Sequence, residues 1–175
     1  MKIEQLPVKI RVLAVYRGYR YPMGCDVTTQ HAWPTDVVRQ LDLRLDLYSH
    51  SPTGFEWGYG GSGPAQLALA MLADFYGYAT GYGGRPDSLA VSHYQQFKER
   101  VIANLPNESP PFRGLRKDGL QWHLYGVELT YVDGFALRVM DGNELRELTA
   151  EAVKVYGKDV MFGGGAGFAI VCGEL

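Results

Sequence analysis

The sequence predicts an α+β fold, in which a small, mostly antiparallel sheet packs on two helices and a β-rich C-terminal addition follows. Three observations predict it. Residues 41–48 alternate leucine with polar side chains, which is typical of a half-buried strand. Residues 65–76 combine strong helix formers with almost no polar side chain, which indicates a buried helix. Two β-rich segments flank Asp133 and Gly134, a pair that favours a hairpin turn.

Composition limits the class of protein. The chain has 175 residues, of which 46% are hydrophobic and 21% charged, so it can form a core and is not globally disordered. Its net charge of −2 gives no bulk attraction to nucleic acid or to an anionic membrane. The sequence shows neither a secretory signal nor an apolar run of about 20 residues, so we expect a cytoplasmic protein without a membrane span.

The two cysteines, Cys25 and Cys172, have no metal-binding spacing. One disulfide is arithmetically possible, but a cytoplasmic protein would keep both thiols reduced. Cys25 has only Asp26 beside it, and this carboxylate would raise the thiol pKa, so we expect no nucleophile there. No cofactor is predicted.

The remaining elements follow in chain order. Residues 8–16 are predicted as a strand and residues 17–35 as a loop. The first helix would be capped by Ser62 or Gly63, with Pro64 at its first position. A second helix over residues 88–104 would bury a stripe of five residues, namely Leu89, His93, Phe97, Val101 and Leu105.

The C-terminal third is predicted to be β-rich. A hairpin over residues 120–140 is followed by residues 144–156, which fit either a further turn and strand or a short helix. A last strand is expected within residues 160–172. Residues 1–106 would then form a core domain, and residues 107–175 an extension packed on it, with the boundary near the prolines at 106–111.

A glycine-rich signature precedes the first helix. Residues 55–72 read FEWGYGGSGPAQLALAML, after an HSPTGF approach at residues 50–55. This segment resembles the signature of an uncharacterised family met in bacteria, archaea, plasmids and phages, and the resemblance covers about residues 10–106. It implies no known activity. The mobile-element setting of that family implies an accessory, phage or defence-related role.

The signature is physically suited to hold an anion. Unpaired N–H groups of a helix start, reached through a glycine-rich turn, can cradle a phosphate. Trp57 and Tyr59 could stack on a base, and the amide of Gln66 could read a ligand edge. Arg17 and Arg85 lie in other Gly/Tyr-rich segments and could neutralise the charge. The predicted ligand-binding residues are Trp57, Tyr59, Gly60, Gly61, Ser62, Gly63, Gln66, Arg17 and Arg85.

A purely structural interpretation of the same residues stays open. In this interpretation Ser62 serves only as a helix cap, and the glycines serve only the backbone path. Trp57 would then be a core residue, and Gln66 would bind a loop carbonyl.

Catalytic patterns are weak. Ser62 and His50, with an acid such as Glu56, can be drawn as a triad, but Ser62 does not lie in the G-x-S-x-G pattern of a nucleophile elbow. The histidines show no metal-ligand spacing, and His93 is expected to pack on the apolar stripe of the second helix.

These observations predict non-catalytic binding of a small phosphorylated or nucleotide-like ligand. A phage or mobile-element protein of this kind could sequester a nucleotide signal. The main alternative is a protein-interaction or inhibitor module that contacts a host or phage protein. A third is a hydrolase that uses Ser62 and His50. An exposed sheet edge makes a homo-oligomer plausible.

Overall fold

The computed structural model describes residues 6–22, 24–32, 37–80, 86–107, 119–157 and 162–163. The chain forms two compact units, each built from segments that are not consecutive in sequence. The first unit contains residues 1–15, 30–38 and 123–175, and the second contains residues 16–29 and 39–122.

The architecture is an α+β fold, as predicted. The strands are β1 (Lys9–Tyr21), β2 (Gly24–His31), β3 (Val38–Gln40), β4 (Leu120–Tyr131), β5 (Gly134–Met140) and β6 (Phe162–Gly163). Five of them form a sheet in the order β3-β2-β1-β4-β5, and β6 pairs in parallel with the start of β1. The helices are α1 (Ser62–Thr80), α2 (Pro86–Arg100) and α3 (Gly142–Tyr156).

Residues 17–35 were expected to form a loop, and this expectation is wrong. β1 continues to Tyr21, and β2 begins at Gly24. Pro22 and Gly24, which suggested a loop, therefore mark only the turn between the two strands. Gly18 lies within β1 because a Cβ there would approach the Trp122 ring to 2.1 Å. The glycine therefore makes room for an indole ring and does not end the strand.

The predicted strand over residues 41–48 is also wrong. Its leucines do not share a buried side, since Leu41 is 6% exposed and Leu45 is 41% exposed. Arg44 has a φ of 52°, in the left-handed region, and its carbonyl accepts from the N–H of Leu47 at 3.1 Å. The Arg44 guanidinium forms ion pairs with Asp46 and Asp87. The chain turns at Arg44, and these contacts outweigh the strand preference of the alternating residues.

Helix α1 forms as predicted but is longer at both ends. Twelve of its 19 residues are buried, in agreement with its apolar sequence. The N–H of Ala65 donates to the carbonyl of Gly61 at 3.1 Å, so Gly61 is the N-cap, and not Ser62 or Gly63. Pro64 therefore occupies the third helical position and not the first.

Helix α2 ends earlier than predicted and buries a different side. A short 3₁₀ turn over Ile102–Asn104 follows it. Ala90 and Tyr94 are buried, whereas His93 is exposed and Leu89 is 41% exposed. The predicted stripe was one position out of phase, and His93 is not a packed histidine. Within the described residues, no helix is long and apolar enough to span a bilayer.

The C-terminal hairpin is confirmed, with Tyr131 paired to Gly134 across the Asp133 turn. The segment after it is a helix: Asp141 caps α3 by accepting from the N–H groups of Asn143 and Glu144 at 2.8 and 2.9 Å. The first unit has its own core, formed by Ile10, Val12, Val15, Val127, Leu129, Met140, Leu145 and Ala152. Of the predicted last strand, only β6 lies within the described residues.

Replacing Asp141 by alanine should lower the free energy of unfolding by about 1 kcal/mol, because two N–H groups of the first turn of α3 lose their acceptor. Urea titration followed by circular dichroism measures the change. Glu147→Ala, an exposed change in the same helix, is the matched control and should shift stability by no more than about 0.5 kcal/mol. Equal effects of the two changes would contradict a capping role for Asp141.

Candidate functional site

The glycine turn before α1 is shaped by its own side chains. A Cβ at Gly61 would lie 2.7 Å from Cε2 of Tyr59, and a Cβ at Gly63 would lie 2.6 Å from Cβ of Glu56. Gly63 is therefore required by close packing against Glu56, whereas a Cβ at Gly61 would displace the exposed ring of Tyr59. Tyr59, Gly60 and Ser62 remain exposed.

Trp57 is buried among protein groups. It is 0% exposed, and its indole N–H is shared between the carbonyl of Pro106 at 3.0 Å and Oε1 of Gln121 at 2.9 Å. The Trp122 ring packs edge-on against it, with centroids 5.3 Å apart, and the Arg20 guanidinium lies 4.8 Å from its centroid. In this conformation Trp57 has no free ring surface on which a ligand could stack.

Gln66 ties two loop segments to α1. Its side chain is fully buried, and Oε1 accepts from the backbone N–H groups of His50 at 2.8 Å and Ser51 at 3.1 Å. Its Nε2 donates to the carbonyl of Leu43 at 2.5 Å. The amide thus satisfies backbone groups that would otherwise be buried without partners. This arrangement favours the structural interpretation of Gln66.

His50 and Ser62 have different surroundings. A ring nitrogen of His50 lies 3.0 Å from the Tyr94 hydroxyl, and the rings of Tyr48 and Tyr94 flank the imidazole. Ser62 is exposed in the first turn of α1. The structure therefore pairs His50 with a tyrosine, which gives no support to a Ser–His pair.

One face of the β1–β2 hairpin carries a polar cluster that the sequence did not predict. An Arg20 guanidinium nitrogen lies 2.8 Å from Oε2 of Glu56, and the Cys25 thiol donates to Oε1 of the same carboxylate at 3.6 Å. Burial raises the pKa of the Cys25 thiol to about 11; Arg20 opposes this increase, and Glu56 and Asp26 add to it. Cys25 is therefore held as a thiol, which is a poor nucleophile.

A second polar group on this face lies further along the hairpin. The Tyr16 hydroxyl donates to Asp74 at 2.8 Å, and the Thr29 hydroxyl donates to the same carboxylate oxygen at 3.0 Å. Arg39 forms an ion pair with the other oxygen of Asp74 at 2.6 Å. Burial is the largest cause of the raised pKa of Tyr16, followed by the charge of Asp74. The phenol therefore stays protonated and anchors α1 to the hairpin.

These contacts define the two faces of the hairpin. Tyr16 and Thr29 bind one carboxylate, and Arg20 and Cys25 bind another, so each pair lies side by side across the two strands. We call this side the first face. Because side chains alternate along a strand, the opposite side, or second face, carries Arg17, Tyr19 and Tyr21 from β1 and Asp26 and Thr28 from β2.

The second face holds two unsatisfied donors. In the same register Arg17 lies opposite Thr28. Nη1 of Arg17 and Oγ1 of Thr28 are both buried, and neither has a hydrogen-bond partner among the residues that the structure describes. Arg17 is one of the predicted ligand-binding residues, whereas sequence analysis missed Thr28. Thr28 lies opposite Arg17 only because β1 and β2 pair in this register. Sequence analysis predicted a loop over residues 17–35 and therefore no strand pairing there.

The side-chain hydrogen bonds of Trp57 and Gln66, two other predicted ligand-binding residues, go to groups other than Arg17. Arg85 lies outside the described residues. Within the described part of the chain, no group of His, Cys, Asp and Glu side chains is arranged to hold a metal ion.

The chain belongs to a family of unknown function, DUF6166, whose model matches residues 16–125. The match therefore extends beyond residue 106, where the resemblance found in the sequence ended, and it includes β2, α1 and α2. No curated protein and no solved structure is significantly similar to the chain.

Replacing Gln66 by leucine should lower the free energy of unfolding by about 3 kcal/mol, because two backbone N–H groups and one carbonyl lose their partner in a buried position. Urea denaturation monitored by tryptophan fluorescence gives the value. Gln96→Leu, at an exposed position of α2, is the control. If Gln66→Leu lowered the free energy of unfolding no more than Gln96→Leu does, the hydrogen bonds of Gln66 would not stabilise the fold.

Cys25 should be alkylated slowly at neutral pH. In a Cys172→Ala variant, the rate of reaction with iodoacetamide should keep rising up to about pH 11, because only the thiolate reacts. In urea the same thiol should titrate near its ordinary pKa. A plateau below pH 9 in the folded protein would show instead that the thiol is activated.

Proposed function

We propose that this protein binds a small phosphorylated or nucleotide-like ligand without catalysing its conversion, and that Arg17 and Thr28 hold the anionic group. The observation that carries the proposal is the pair of buried, unpartnered donors on the second face of the hairpin. The proposed binding site is therefore on the β1–β2 hairpin, whereas the sequence suggested the glycine turn.

Unsatisfied donors of this kind are costly. A buried polar atom without a partner costs about 1–3 kcal/mol, and more when it belongs to a charged group. Proteins satisfy most such atoms, so two on neighbouring strands call for an explanation. An oxyanion is the group that satisfies both at once, because guanidinium nitrogens and hydroxyls donate to phosphate oxygens.

The surrounding chemistry favours binding over catalysis. Cys25, a thiol of the same hairpin, lies on the first face, and its raised pKa keeps it protonated at neutral pH. The histidine of the glycine signature is engaged with Tyr94. A protein that binds a nucleotide-like ligand without converting it would lower its free concentration, which suits the sequestering role suggested for a phage or mobile-element accessory protein.

The proposal predicts a thermal shift that depends on Arg17. Purified protein would be heated with inorganic phosphate, pyrophosphate, ribose 5-phosphate and mono-, di- and cyclic nucleotides. A ligand present at 100 times its Kd adds about 2.7 kcal/mol of stability, which is a shift of several degrees. Arg17→Met should abolish the shift. Arg11→Met, a change of an exposed arginine in the same strand, is the matched control and should retain it.

Arg17→Met also has a predictable effect on the protein alone. The change removes a guanidinium nitrogen that is buried without a hydrogen-bond partner among the described residues. The free energy of unfolding of the ligand-free variant in urea should therefore equal that of the wild type or exceed it by up to about 1 kcal/mol. This result would exclude misfolding as the cause of lost binding. Absence of a shift with every phosphate compound, or an equal shift in both arginine variants, would contradict the proposal and leave the protein-interaction alternative.

A further inference from the structure

Two aromatic rings continue the second face beyond Arg17. Tyr19 and Tyr21 follow at alternate positions of β1, and their ring planes are parallel within 2° with centroids 6.4 Å apart. Tyr21 is 42% exposed. Gly119 lies close behind it, since a Cβ there would approach Cε1 of Tyr21 to 2.9 Å. The start of β4 therefore supports the ring, and the two phenols present an ordered aromatic surface.

A single carboxylate lies on the same face. Asp26 is exposed, and the hairpin register places it opposite Tyr19. Along the hairpin this position lies between the Arg17–Thr28 pair and Tyr21. Residues two apart in a strand are separated by about 6.7 Å, so Asp26 is one such step from Thr28. A carboxylate accepts hydrogen bonds from hydroxyl groups and repels further negative charge.

The order of groups along this face matches the parts of a nucleotide. An anion-binding pair comes first, then a hydroxyl acceptor with one tyrosine ring opposite it, and then the second tyrosine ring. A planar base can stack on such parallel rings. Among the five residues that define the second face, Arg17 is the cation and Asp26 is the anion. One phosphate can be neutralised there, but a chain of two or three phosphates would leave uncompensated charge beside Asp26.

We propose that the ligand of this site is a nucleoside monophosphate. Its phosphate would contact Arg17 and Thr28, its sugar hydroxyls would donate to Asp26, and its base would stack on Tyr19 and Tyr21. This inference rests on the proposed function, because it assigns the remaining contacts of the same site.

The experiment compares dissociation constants by isothermal titration calorimetry for ribose 5-phosphate, adenosine 5′-monophosphate, cyclic adenosine monophosphate and adenosine triphosphate. At least one of the two monophosphates should bind tenfold or more tightly than ribose 5-phosphate, because base stacking adds to the phosphate contact. The triphosphate should bind more weakly than that monophosphate. Tyr21→Leu should weaken binding of the monophosphate about tenfold and leave binding of ribose 5-phosphate unchanged.

Three further variants complete the design. Tyr48→Leu removes an exposed tyrosine elsewhere in the chain and should leave all constants unchanged. Asp26→Asn should narrow the preference for the monophosphate over the triphosphate, because it removes the repelling charge. Tyr59→Leu tests the glycine turn directly, and loss of binding there but not in Tyr21→Leu would overturn the inference.

The outcomes separate this inference from the proposed function. If ribose 5-phosphate and the nucleotides bind equally and all depend on Arg17, the proposed function stands and the nucleoside inference is wrong. If none of the four compounds binds, both are wrong. Tight monophosphate binding that is insensitive to Tyr21→Leu and to Tyr19→Leu would likewise refute the stacking contact.

Discussion

The register of the β1–β2 hairpin is the constraint on which the rest of the proposed site depends. It places Tyr16 beside Thr29 and Arg20 beside Cys25, and thereby joins the hairpin to Asp74 and Glu56. The same register places Arg17 and Thr28 on the opposite side, where each has a buried atom without a hydrogen-bond partner among the described residues. A slip of one residue would exchange the two faces, so the contacts of the first face fix the chemistry of the second.

The glycine signature is explained mostly by packing. Gly61 and Gly63 leave room for Tyr59 and Glu56, Trp57 packs against Trp122, and Gln66 ties loop backbone to α1. A long and specific motif can therefore describe how a turn is built around a buried helix. Three buried side-chain atoms have no hydrogen-bond partner among the described residues. Those of Arg17 and Thr28 lie outside the signature, and the third, Nε1 of Trp122, belongs to the ring that packs against Trp57.

The sequence was sufficient for elements whose signal is local. Helix α1 is apolar over its whole length, and the hairpin around Asp133 has both a turn residue pair and flanking β-branched residues, so both are predicted well. The segment around Arg44 failed because ion pairs to Asp46 and Asp87, one of them distant in sequence, outweigh the alternation. The proposed hairpin site could be predicted from the sequence only in part, for the same reason. Arg17 was noticed from its residue type, but Thr28 becomes meaningful only when the strand pairing is known.

The alternation of the chain between its two units has a consequence for synthesis on the ribosome. Ile10, Val12 and Val15 leave the ribosome before their core partners Val127, Leu129 and Met140, which follow more than 100 residues later. Residues 16–29 and 39–122 can meanwhile complete the second unit. During translation these apolar residues of β1 are therefore synthesised well before their core partners. In that interval chaperone binding or aggregation competes with folding.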